Sequence, residues 1–135
     1  MKMRIGSCVF GVVLSAIVAY AHHSIPGVYD ANQQVTVEGI VREFQFVNPH
    51  PFLTVDVRIA NESARRWRLE MDNLSELSEA GMKKDTLKPG DRIVATGNPG
   101  RSQKESLYIR KLDRPSDGFR LEQVDSSPRI HFNPR

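Results

Sequence analysis

Apolar and polar residues alternate along five stretches of this chain, and glycine, proline or asparagine interrupts each of them. In residues 34–48, Val35, Val37 and Val41 share one parity with Gly39, while Glu38 and Arg42 hold the other. A period of two over that length predicts a half-buried strand. Gly39 marks a bulge or bend within it, as the long first strand of a small barrel needs to turn its corner. Asn48-Pro49-His50-Pro51 cannot continue a ladder, because two prolines remove two backbone donors, so a rigid turn is expected there. Residues 52–60 resume the alternation, with Leu53, Val55, Val57 and Ile59 facing inward and Thr54, Asp56 and Arg58 outward. After the turn at Asn61-Glu62-Ser63, residues 65–71 repeat the device, with Trp67, Leu69 and Met71 inward.

The period then changes. Leu74, Leu77 and Gly81 fit a short helix over residues 73–80, with Asn73 as N-cap, Glu76 three residues on and Gly81 as the stop. Leu87-Lys88-Pro89-Gly90-Asp91 turns the chain into a fourth strand, residues 92–96, which Gly97-Asn98-Pro99-Gly100 ends. A fifth follows at residues 107–112. Residues 114–135 are rich in proline, serine and charge and read as a flexible polar tail. Three strands, a helix and two strands is the order of the OB-fold, so the expected class is all-β with one short helix, a five-stranded antiparallel Greek-key barrel over residues 22–113. A small open antiparallel sandwich is the alternative.

The first 21 residues stand apart. Lys2 and Arg4 precede an uncharged apolar run, residues 5–19, and Ala19-Tyr20-Ala21 offers small residues to a signal peptidase. The run falls short of the roughly 20 residues a membrane-spanning helix needs, so cleavage after Ala21, a periplasmic or secreted location and no remaining membrane span are expected. This changes the chemistry available. The single cysteine, Cys8, leaves with the leader, so disulfides and thiolate metal sites are excluded from the mature chain. It changes the charge as well. The whole chain is +3, but without Lys2 and Arg4 seventeen basic residues face sixteen acidic ones, a net +1 that gives no attraction for polyanions.

His22-His23-Ser24, Tyr29-Asp30-Ala31-Asn32, Val37-Glu38-Gly39, Asn48-Pro49-His50, Trp67 and Leu87-Lys88-Pro89-Gly90-Asp91, in this order and spacing, resemble a family of exported bacterial proteins, domain of unknown function 6152. The resemblance spans nearly all of residues 22–112. It implies a periplasmic location and brings no known reaction, so it transfers no catalytic residue. The chain departs from the family pattern at Met82, where tryptophan is usual, and at Pro51, which replaces a bulkier or apolar residue.

The chemistry on offer is that of histidine. Cleavage after Ala21 would give His22 a free amine beside its imidazole, two nitrogen donors on one residue. A third nitrogen completes a planar or T-shaped set suited to Cu(II), with Zn(II) or Ni(II) as lesser options. The terminal histidine is similar to the histidine brace of copper monooxygenases and copper carriers. His50 is the third ligand on reach, its flanking prolines holding the ring, with Asn48 or Asp30 to orient an imidazole. His22, His23 and His50 are therefore the candidate metal ligands, copper the candidate metal, and His131 a solvated tail residue. Arg65-Arg66-Trp67-Arg68 with Phe44, Phe46, Phe52 and Tyr108 is the other constellation, the basic and aromatic content of an OB-fold ligand face. Most of these aromatics fit a core better, and a near-neutral exported chain has no use for nucleic acid. Asp56, Glu70 and Asp72 read as solvated surface charges. No phosphate-cradling loop, nucleophile elbow or two-histidine helix is present. The expected role is a binding or carrier module for a metal ion; a metal-free accessory module for an envelope protein, peptide or glycan, docking through residues 48–52, comes second and a copper oxidase third.

Overall fold

The computed structural model describes residues 25–132 of the chain. A single turn of helix, α1 (Ile25–Val28), leads into β1 (Val35–Gln45), β2 (Phe52–Val57), β3 (Arg65–Glu70), α2 (Leu74–Glu79), β4 (Arg92–Pro99), β5 (Ser106–Arg114), β6 (Phe119–Val124) and β7 (Ser127–His131). Strand order is β3-β2-β1-β4-β5-β6-β7, and a further pairing of β3 with β5 closes the first five into a barrel. The OB-like barrel read from the sequence is thus present. One of its pairings is parallel, with Leu69 opposite Leu107. Five strands cannot alternate direction all the way round a closed barrel, so one such pair is unavoidable.

The length of β1 lets it serve two walls. Its first half pairs with β4, from Val35 opposite Gly97 to Ile40 opposite Arg92, and its second with β2, from Gly39 opposite Val57 to Gln45 opposite Phe52. The register slips between Val41 and Glu43, so the bulge falls at Arg42, three residues beyond the glycine. Gly39 answers a different need. It faces inward where β2 crosses, and a Cβ there would collide with the Asp56 carbonyl oxygen and the Val55 side chain. The barrel interior is filled by Val41, Leu53, Val55, Leu69, Ile93, Ala95, Leu107 and Ile109, all buried. Met82 is buried among them, so position 82 belongs to the core.

The helix forms where its signals lie: the Asn73 side chain accepts a hydrogen bond from the Glu76 backbone N–H at 2.9 Å. The tail expectation is overturned over residues 119–131. Phe119, Leu121 and Gln123 alternate inward against Arg120, Glu122 and Val124, so β6 has the same period-two amphipathicity as the barrel strands. The charges that suggested a solvated tail sit on its outer face. Arg114 fixes the preceding turn, donating to Asp91 at 2.7 Å, to Asp117 at 2.8 Å and to the Thr86 carbonyl at 2.6 Å. β5 changes neighbour part-way along, pairing with β3 at residues 106–108 and with β6 at residues 111–114. At the handover the Gln123 amide donates to Asp72 at 2.6 Å. Among the described residues no helix is long and apolar enough to cross a membrane.

Candidate functional site

Two segments of irregular chain converge where β3 ends. The first is the lead. Beyond α1, Tyr29 forms a bridge with Gly100, the Asp30 N–H donates to the Pro99 carbonyl at 2.9 Å, and the Asn98 side chain donates to the Gln33 carbonyl at 2.7 Å, so the lead is tied along the β4–β5 connection. From there the buried Tyr29 side chain reaches β3, its hydroxyl donating to Glu70 at 2.6 Å. Its ring lies 5.8 Å from that of Tyr108, also buried. Burial first, and the facing carboxylates second, hold both phenols well above their ordinary range, with Glu70 acting on Tyr29 and Asp72 on Tyr108.

The second segment is the Asn48–Pro51 turn, in which the Asn48–Pro49 peptide is cis. Having lost donors to its prolines, it uses carbonyls instead. The Pro49 carbonyl accepts from the Leu74 N–H at 3.2 Å and the Pro51 carbonyl from the Met71 N–H at 2.9 Å, which stitches the turn to the chain between β3 and α2. His50, half-buried, bonds through Nδ1 to the Met71 carbonyl at 3.1 Å. A carbonyl only accepts, so Nδ1 carries the hydrogen, and in the neutral ring Nε2 presents a lone pair. A backbone carbonyl on one ring nitrogen is the usual partner of a histidine whose other nitrogen binds a metal.

The candidate ligands therefore stand as follows. His50 is held at this end of the barrel; His22 and His23 lie outside the described residues; His131 is exposed, on β7. Among the described residues no three histidine, cysteine, aspartate or glutamate side chains converge as a metal site, so His50 offers one donor and any others must come from elsewhere. Asp30 makes no hydrogen bond to His50. Its carboxylate caps its own turn, accepting from the Asn32 N–H at 3.1 Å and the Gln33 amide at 3.0 Å, and Asn48 is exposed. The orienting group is the Met71 carbonyl, and a backbone atom leaves no trace in residue identity. Glu70 and Asp72, read as solvated charges, are half-buried acceptors, for a tyrosine hydroxyl and an amide respectively. Of the aromatic and basic constellation, Phe44, Phe46 and Trp67 pack against the core. Phe52 faces outward instead, with the Arg68 guanidinium 3.4 Å above its ring.

A family model, described as a family of unknown function (DUF6152), matches residues 11–108. The chain belongs to this family. DUF6152 covers the lead, the Asn48–Pro51 turn and the strands that position them, and the matched region stops within β5, before β6 and β7. No curated protein matches this DUF6152 chain. Among solved structures it is similar to a ZRD-deleted mutant of TiaS in complex with agmatine, with a TM-score of 0.45 and 14% identity over 76% of this chain. This chain spans about a quarter of that one, 26% of its length.

Proposed function

We propose that the protein is an exported binding module for a divalent metal ion, copper foremost, held by the amine and imidazole of a mature N-terminal His22 together with His50, with His23 beside them as a further donor. The observation that carries this reading is the meeting of the lead and the His50 turn at consecutive residues. Tyr29 of the lead bonds to Glu70, and the carbonyl of the next residue, Met71, bonds to His50. From Ile25, where the described chain begins, three residues lead back to His22, a reach of about 10 Å when extended. The Met71 carbonyl fixes the His50 tautomer that leaves Nε2 available, and Pro49 and Pro51 limit the conformations the turn must give up on binding. A planar nitrogen set from an amine and two imidazoles suits Cu(II) better than Zn(II) or a hard cation.

Calorimetric titration of Cu(II) into two preparations tests this. The chain beginning at His22 is expected to bind one equivalent tightly, and the same chain acetylated at the His22 nitrogen to bind far more weakly, because its amine has become an amide. His50→Ala in the first preparation is expected to weaken binding on the order of 10- to 100-fold. Equal affinity for the two termini would refute the brace, and an unchanged affinity in His50→Ala would remove the third ligand.

A further inference from the structure

On the far side of the barrel from the bonds that hold His50, the outer faces of β2, β1 and β4 form a groove of about 700 Å³, with Ala60 and Ala64 of the β2–β3 loop as its wall. Its floor carries Glu38, Ile40 and Arg42 of β1, Asp56 of β2 and Arg92 of β4, with Arg58 at the loop end. We propose that this groove is a docking site for an extended acidic peptide segment of a partner protein.

The charge balance is the first argument. Arg42 donates to Asp56 at 2.5 Å, Arg66 lies 3.5 Å from the same carboxylate, and Arg92 pairs with Glu38. Two carboxylates thus face four guanidinium groups, those of Arg42, Arg58, Arg66 and Arg92. That leaves a local excess of positive charge at the groove. Arg58 has no hydrogen-bond or ion-pair partner among the described residues, and it is exposed at the groove's mouth. A guanidinium of that kind presents a planar fork of donors that matches a carboxylate.

The apolar floor is the second argument. Ile40 is 40% exposed between these charges, an apolar contact for alternate side chains of an extended ligand. The interleaving of signs favours peptide over nucleic acid. Glu38 and Asp56 stand among the arginines, where a continuous phosphate backbone would meet them, whereas carboxylates spaced along a peptide can pair with Arg58 and Arg92 and leave an apolar residue over Ile40. The Arg42 hydrogen bond holds Asp56 below the usual carboxylate range, so that carboxylate stays charged into mild acid.

The test uses the full mature chain without added metal, so it can fail while the metal reading stands, and the reverse. A fluorescein-labelled peptide of alternating Glu and Val is titrated by anisotropy. Saturable binding that weakens as salt is raised is expected, with a loss on the order of tenfold in Arg58→Glu and a similar loss in Arg92→Glu. Arg129→Glu, an exposed site on β7, is expected to leave binding unchanged. Circular dichroism of each variant confirms that the barrel is intact. Absence of saturable binding, an equal loss in Arg129→Glu, or tighter binding of a single-stranded oligonucleotide than of the peptide would each overturn the proposal.

Discussion

At Tyr29 and Tyr108 the phenol is buried and its hydroxyl faces a carboxylate, Glu70 in one case and Asp72 in the other. Both groups ionise later in the folded chain than in the unfolded one, so the native state favours the protonated phenols. Their contribution to stability is complete below the ordinary value of 10.0 and is lost progressively as pH rises above it, where the unfolded chain releases those protons first. Of the three tyrosines, Tyr20 precedes the described residues, and a chain prepared to begin at His22 carries only the other two. Alkaline titration followed by tyrosinate absorbance is therefore expected to show no phenol ionising near 10 in the folded protein, and both ionising together with loss of structure. A separate, reversible step near 10 would contradict the burial of one of them. At this scale the sequence exposed residue types and hid their partners. His50 between two prolines was visible as a constrained imidazole, but the Met71 carbonyl that orients it is backbone. Glu70 and Asp72 looked like strand-surface charges because the groups that cover them, Tyr29 and Gln123, lie more than forty residues away in the chain.

Elements whose signals are local were legible. The Asn73 cap with Glu76 three residues on, and the alternation in β2 and β3, depend on neighbours within one element and appear where they were read. The β6–β7 hairpin was missed because its amphipathic pattern is short and sits among prolines and charges. Asp117-Gly118, with Gly118 at φ 74, was the usable signal for a turn between strands. Phe119 anchors that hairpin: it is buried in the core cluster, and the Phe132 ring packs against it at a tilt, 5.6 Å between ring centroids. Phe119→Ala is expected to destabilise the protein by about 3–5 kcal/mol, read from the midpoint of urea denaturation. A loss below about 0.5 kcal/mol would mean that residues beyond 113 are not part of the folded unit.

For the whole molecule, barrel closure determines which loops become neighbours. The β3–β5 pairing brings Glu70 opposite Tyr108, and the lead lies across that seam through Tyr29, beside the turn that carries His50. The five-strand order could be read from the sequence. The parallel seam could not, because it joins strands whose pairing has no local signature, and with it the convergence of lead and turn was invisible. The β2–β3 loop lies at the other end of β3, about 20 Å away along six residues of strand. A metal held by His22 and His50, as proposed, would therefore sit at the His50 end of β3. Paramagnetic broadening in the amide NMR spectrum, with one equivalent of Cu(II) added to the chain beginning at His22, reads that position. The signals of His50, Met71 and Tyr29 are expected to vanish while those of residues 61–64 stay sharp. Sharp signals at His50 and Met71, with broadening confined to β7 around His131 or to the terminus alone, would contradict the account.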